Sequence, residues 1–204
     1  MSQTNMWQIE EGFFDQGIKL IAGVDEAGRG PLAGPVCAAA VILPPYADIP
    51  GLNDSKKLSD KQRRALLPLI KEKALAYGIA FATESEIDEI NILQATYLAM
   101  QRAVSQLSVK PDFLLIDGNR KCEFGIDAET VVHGDSLSAS IAAASVLAKV
   151  TRDDFMLEQA EKYPQYGFEV HKGYGTKAHY AALEAHGHCE IHRLTFLKKF
   201  YGTK

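Results

Sequence analysis

A chain of 204 residues is long enough to bury one substantial core, so one domain, or one domain with a small appendage, is expected. Hydrophobic residues make up 47% and charged residues 24%, ordinary for a soluble globular protein, and no apolar run reaches the roughly 18 residues that a membrane span needs. A formal net charge of −4 would exclude a nucleic-acid partner only if the charge were evenly spread, and it is not.

The start, Met1-Ser2-Gln3-Thr4-Asn5-Met6-Trp7, has neither the basic residues nor the apolar block of a secretory signal. Three cysteines (Cys37, Cys122 and Cys189) are an odd number at wide spacings, which suits a reducing compartment better than a disulfide framework. A cytoplasmic protein is expected.

Ile18 to Val24 reads as a buried strand. It runs into Asp25-Glu26-Ala27-Gly28-Arg29-Gly30-Pro31-Leu32-Ala33-Gly34-Pro35, where two acids stand beside three glycines and a guanidinium. Adjacent acids repel each other and resist desolvation, so acids placed against a hydrophobic strand call for a cation. Neighbours on a regular strand face opposite ways, so both can serve one cluster only if the strand ends here and the chain turns, and Gly28 and Gly30 supply such a turn. Gly34 to Leu43 predicts a second strand.

From Ser55 to Lys73 seven basic residues (Lys56, Lys57, Lys61, Arg63, Arg64, Lys71 and Lys73) face two acids, a local excess that suits a polyanion or simply a solvated helix face. Ser59-Asp60-Lys61-Gln62 has the form of a capping box and predicts a helix to about Ala76, kinked or interrupted at Pro68. Tyr77 to Thr83 predicts a third strand, and Ile92 to Leu107 an amphipathic helix with Leu93, Tyr97, Met100 and Val104 on one face. The run Phe113 to Ile116 ending in Asp117-Gly118 is a buried strand that delivers Asp117 to a sheet edge.

A last strand is expected over Glu129 to His133, then Gly134-Asp135 and a long helix of small residues through Lys149 that ends at Tyr163-Pro164. A loop at His171-Lys172-Gly173-Tyr174-Gly175 precedes a helix capped by Thr176 and closed by Gly187. Strands alternating irregularly with helices define an α/β fold with a mixed sheet.

Taken singly, Asp117 is half of a good Asp-Gly turn and Asp135 a favoured helix N-cap. Together Asp25, Glu26, Asp117 and Asp135, each at a strand end or helix start, form a carboxylate cluster of the kind that holds Mg²⁺ or Mn²⁺, because hard cations prefer carboxylate oxygen. Gly28-Arg29-Gly30-Pro31-Leu32-Ala33 also matches a dinucleotide-binding fingerprint, but Pro35 and the strand-like run after it argue against the required helix. His171, His179, His186, His188 and His192 with Cys189 invite a zinc site, yet fit no zinc spacing and read better as surface or loop histidines.

These residues resemble the ribonuclease HII family (type 2 ribonuclease H). The signatures, in family order, are Asp25 to Val36, Asp54-Ser55-Lys56-Lys57-Leu58, Ile116-Asp117-Gly118, Gly134-Asp135 with Ala142 to Asp153, and His171-Lys172-Gly173-Tyr174-Gly175-Thr176. The resemblance implies an RNase H-like fold, with 1–17 as an N-terminal leader, 18–190 as the catalytic domain and 191–204 as a short C-terminal helical tail on or near it. It implies hydrolysis of the RNA strand of RNA–DNA hybrids and nicking 5′ to single ribonucleotides in duplex DNA, leaving 3′-hydroxyl and 5′-phosphate ends. It also implies that Asp25, Glu26, Asp117 and Asp135 hold the metal, two Mg²⁺ or Mn²⁺ ions during turnover. Gly28, Arg29, Gly30 and Tyr174 are then the reader of the ribose–deoxyribose junction, and Lys56, Lys57, Lys149 and Lys172 lie near phosphates. A monomer acting on nucleic acid, without a membrane, is expected.

Overall fold

The computed structural model describes residues 5–119 and 122–202, so the first four residues of the leader and the last two of the tail lie outside the described residues. Five strands, β1 (Ile21–Ala27), β2 (Val36–Ile42), β3 (Ala76–Ala82), β4 (Phe113–Asp117) and β5 (Ala128–Val131), form one sheet in the order β3-β2-β1-β4-β5. The first three are antiparallel neighbours, whereas β4 runs parallel to β1 and β5 parallel to β4. The expected mixed sheet is therefore the one observed.

Every residue of β2 is buried, because helices cover both faces of the sheet centre. On one face α3 (Glu84–Ser105) lays Ala95, Ala99, Met100 and Ala103 against Ala22, Val24, Ala38 and Ala40. On the other, α4 (Ala139–Lys162) and α2 (Asp60–Lys73) place Ala143, Val146, Leu147 and Ile70 against Cys37, Ala39 and Val41. Small residues let α4 approach so closely that a Cβ on Gly23 of β1 would stand 2.1 Å from the Ser140 carbonyl carbon. That contact fixes where the start of α4 stands relative to the end of β1.

The capping box at Ser59 forms as predicted, Ser59 Oγ accepting from the Gln62 backbone and Gln62 Oε1 from the Ser59 backbone. The helix it opens runs through Pro68 to Lys73 without interruption, contrary to the sequence expectation. A second capping box, Thr83 with Glu86, opens α3 eight residues ahead of the predicted Ile92. Asn91, at φ 69, breaks α3, and its Oδ1 accepts from Leu93 and Gln94 backbone N–H groups, so the predicted start at Ile92 marks the second half.

Ahead of the sheet, α1 (Gln8–Phe14) is anchored by the buried Glu10, whose Oε1 accepts from Ser138 Oγ at 2.6 Å and Ser140 N at 3.1 Å. After α4 come α5 (Phe168–His171), α6 (Lys177–His186), capped by Thr176 and closed by Gly187 as expected, and α7 (Leu194–Tyr201). Leu32, Met156, Phe168, Leu183 and Leu197 give this end its own apolar cluster.

Candidate active site

The strand β1 continues past the expected end at Val24, through Asp25 and Glu26 to Ala27, and the chain turns after it at Gly28, where the glycines are expected to supply a turn. The two side chains accordingly part. Asp25 is buried at 4% exposure, while Glu26 turns to the other side, where Oε1 accepts from Arg29 Nη1 at 3.3 Å. Pairing of Val24 with Ile116 in the parallel β1–β4 ladder sets Asp25 beside Asp117, the last residue of β4. Asp135 sits in the 3₁₀ turn Gly134–Ser136 before α4, and the N-cap of α4 is Ser138, so capping does not account for Asp135.

One carboxylate oxygen from each of Asp25, Asp117 and Asp135 lies within 4.8 Å of the others. Glu26 is not in this tight group, but it lines the same cleft of about 240 Å³ with Asp25, Asp117, Gly28, Arg29 and Gly30. Burial first, then the charges of Glu26 and Asp117, hold the Asp25 carboxyl well above the usual carboxylate range. Burial followed by Asp135 raises Asp117, and burial raises Glu26 despite Arg29. The Asp117 oxygen also accepts from Gly134 N at 2.8 Å, which ties β4 to the Asp135 turn.

This donor set fits a divalent cation. The oxygens are hard, anionic, mutually repelling and partly desolvated, the situation a cation relieves. A cation already reaches in, for Lys56 Nζ donates to Asp135 Oδ2 at 3.1 Å. Burial pulls the Lys56 ammonium down, but Asp135, Asp25 and Asp117 outweigh it and hold the group above its ordinary value. Lys56 is carried by a 3₁₀ turn, Ser55–Lys57, which Asp54 caps by accepting from Lys56 N at 2.8 Å.

The other expected lysines differ in placement. Lys57 Nζ donates to Ser136 Oγ at 3.2 Å, next to the acids. Lys149 lines the cleft and is held by Asp153 Oδ1 at 2.7 Å. Lys172 turns its ammonium to the Glu169 carbonyl and is absent from the cleft lining, while its own carbonyl accepts from Arg152 Nη1. The basic stretch after Ser55 is not one free face: Arg63 donates to the Ser55 and Leu58 carbonyls, and Arg64 pairs with Asp60 and Asp154.

Tyr174 stands across the cleft mouth at 46% exposure, and a Cβ on Gly30 would lie 3.6 Å from its ring. Gly28 has φ +96 and no room for a Cβ, which would fall 1.9 Å from Arg152 Nε. Arg152 is thus a cleft-lining residue that sequence reasoning misses as such, a buried guanidinium that ties the Ala33, Pro35 and Lys172 carbonyls together, since it stands there only as one member of the α4 signature. A guanidinium on an otherwise apolar helix face is the signal that could have found it. The histidines also differ from expectation: His171, His179 and His192 are buried in the core, not on the surface, and among the described residues the only group poised for a metal is the aspartate trio. No helix begins inside Gly28–Ala33, so the dinucleotide fingerprint is without its context.

Residues 22–199 match the family model for ribonuclease HII. The ribonuclease HII of Endomicrobium trichonymphae is 58% identical over 194 residues, spanning 95% of this chain and 92% of that one. That of Dechloromonas aromatica is 60% identical over 179 residues, spanning 88% and 91%. Among solved structures, ribonuclease H2 from Pyrococcus horikoshii is similar at a TM-score of 0.71 and 27% identity, over 86% of this chain and 92% of that one. Mixed sheet, flanking helices and acidic strand ends are those of an RNase H-like nuclease, a class that works with divalent metal. The chain belongs to the ribonuclease HII family, endoribonucleases that hydrolyse the RNA strand of RNA–DNA hybrids and nick duplex DNA beside single embedded ribonucleotides.

Proposed function

We propose that Asp25, Glu26, Asp117 and Asp135 are the metal ligands and catalytic carboxylates of this endoribonuclease, and that two Mg²⁺ or Mn²⁺ ions are engaged during turnover. The observation that carries this reading is the convergence of one carboxylate oxygen each from Asp25, Asp117 and Asp135 within 4.8 Å, with Asp25 and Asp117 lining the cleft that Gly28, Arg29, Gly30 and Tyr174 also line. Bound there, divalent ions supply neutralisation of the developing charge and acidification of the attacking water. Everything else is positioning by the chain. Asp117, fixed by Gly134 N, and Asp135, fixed by Lys56, present oxygens from two elements to one point. Glu26 faces the same space from the far side of β1, with Arg29 holding its orientation.

Selection of the cleavage position falls to the rim. The 2′-hydroxyl both donates and accepts, so the backbone of Gly28-Arg29-Gly30 can test for it at contact distance. Tyr174 packs on the following sugar, where a further hydroxyl is unwelcome. Lys56, Lys57 and Lys149 meet phosphates, contacts that carry no sequence information and suit a substrate defined by its sugars. Lys172 joins them only by releasing the Glu169 carbonyl. The working state is a monomer in the cytoplasm, a reading supported on the second point by three unpaired cysteines.

Replacement of Asp117 by Asn keeps size and removes charge, and is expected to lower turnover on a hybrid by orders of magnitude while substrate binding persists. Near-normal turnover in Mg²⁺ would remove Asp117 from the metal-binding set. Asp135→Asn is expected to recover partly in Mn²⁺.

A further inference from the structure

Two consecutive residues near the C-terminus, His192 and Arg193, are fully enclosed, and neither takes part in the chemistry described above. Arg193 arrives where His192 forms an isolated antiparallel bridge with Ala33. Its guanidinium donates to three carbonyls of one loop: Gly28 at 2.6 Å, Arg29 at 2.9 Å and Gly34 at 2.8 Å. Its contacts within hydrogen-bond distance are these carbonyls, while Glu84 and Asp88 act on its charge from further off, and burial, then Arg152, pulls it down to about 9. A buried cation is a strong demand on its surroundings, so those carbonyls are held facing it.

His192 reaches the other rim. Its Nδ1 accepts from Cys189 N at 2.9 Å, which leaves Nε2–H to donate to His179 Nε2 at 3.0 Å. His179 then carries its proton on Nδ1 and donates it to the Tyr174 carbonyl at 2.9 Å. Donor and acceptor are assigned at each step, and the chain of bonds is complete with both rings neutral. The backbone closes the same ring of contacts, for Leu32 N donates to the Gly173 carbonyl and Arg193 N to the Leu32 carbonyl.

We propose that the pair His192–Arg193 is a positioning and specificity-determining clamp, in which Arg193 sets the Gly28–Arg29 backbone and His192, through His179, sets Tyr174, so that the spacing between the two halves of the sugar reader is fixed by one segment. The proposal rests on the reading of Gly28–Gly30 and Tyr174 as that reader. Its consequence differs between substrates. A continuous hybrid offers a ribose at every step, so a displaced reader still finds a register, whereas a single embedded ribonucleotide offers one.

The test measures kcat/KM on a duplex with one ribonucleotide and on a continuous RNA–DNA hybrid, in the same salt and metal, for wild type, Tyr174→Ala, Arg193→Lys, and their double variant, with thermal melts alongside. Arg193→Lys keeps the charge but cannot span three carbonyls. The expected result is a fall in the single-ribonucleotide to hybrid ratio of about tenfold to a hundredfold, the scale on which a small misplacement acts. A similar fall in Tyr174→Ala, with the double variant no worse than either, marks the two as one device. Two His179 variants give an independent arm: His179→Asn keeps a donor for the Tyr174 carbonyl and retains the ratio, whereas His179→Leu loses both bonds and the ratio. That arm decides if Arg193→Lys does not fold. If Tyr174→Ala shifts the ratio but folded Arg193→Lys and His179→Leu lower both substrates equally or not at all, the clamp is overturned and the reader stands. If Tyr174→Ala leaves the ratio unchanged, the reader itself is wrong and the clamp falls with it.

Discussion

Asp25 is ionised at neutral pH only against burial and two neighbouring acids, so the metal-free fold carries an electrostatic penalty at the place where the chemistry is proposed. A carboxyl whose folded pKa is raised lends stability that is present below its unfolded pKa and lost as pH rises through the folded one. Asp25→Asn removes the penalty and keeps an oxygen for the Glu26 N–H, now at 2.7 Å from Asp25 Oδ1. In chelator at pH 7 its melting temperature is expected to exceed wild type, by about 2–4 °C for each kcal/mol relieved in a chain of this size, the gain shrinking as pH falls. A lower melting temperature at pH 7 would show that the carboxylate is not under strain. Gly28 and Gly30 separate on similar grounds. Gly28→Ala meets both a left-handed φ of +96 and the Arg152 guanidinium, and is expected to lose stability and activity together. Gly30 is outside the left-handed set and has ordinary contact distance to Tyr174, so Gly30→Ala is expected to melt like wild type and lose activity selectively. Equal melts for the two variants would contradict this division.

At the scale of elements, the short segment of α3 before the break at Asn91 is tied to the segment after it by Arg102, whose guanidinium meets both Glu86 oxygens, at 2.7 and 3.0 Å. The Arg102 hydrogen bonds hold the Glu86 carboxyl down to about 2. A depressed carboxyl lends stability that is present above its unfolded value near 4.5 and is lost as pH falls toward about 2. The pair is partly exposed, so solvent screening limits it to about 1 kcal/mol. Glu86→Gln is expected to melt a few degrees below wild type at pH 6, about 2–4 °C by the same scale, with the difference narrowing below pH 4.5. A constant difference down to pH 3 would contradict it. The turn that carries Lys56 and Lys57 bears on binding instead: the double alanine variant is expected to flatten the salt dependence of hybrid affinity by about 0.9 for each phosphate no longer neutralised. An unchanged slope would return these lysines to a purely local role.

Across the whole molecule, what was legible in the sequence is what depends on local pattern. Apolar runs closed by acids located β1 and β4, and through them Asp25 and Asp117; Ser59 and Thr176 marked helix starts that the structure confirms. Less legible was where a strand stops, and that alone decided that Glu26 faces away from Asp25. Pro68 misled because losing one helical hydrogen bond is tolerable in a helix packed against the sheet and α4. The buried histidines and Arg193 were hidden for a different reason. Their partners are mostly backbone carbonyls and one another, supplied from segments up to 165 residues away, which no spacing pattern announces. The ends of the interior strands β1 and β4 thus supply charge, not a sheet edge as expected for Asp117, and the C-terminal segment supplies shape, and the two meet in one cleft.

Incubation of the protein with a DNA duplex that contains one ribonucleotide, with Mg²⁺, with Mn²⁺ and with chelator, compared against Asp117→Asn, tests the central claim most directly. The expected result is a single nick 5′ to the ribonucleotide, leaving 3′-hydroxyl and 5′-phosphate ends, present with either metal, absent in chelator and lowered by orders of magnitude in the variant. Cleavage that persists in chelator, or full activity of Asp117→Asn, would contradict it.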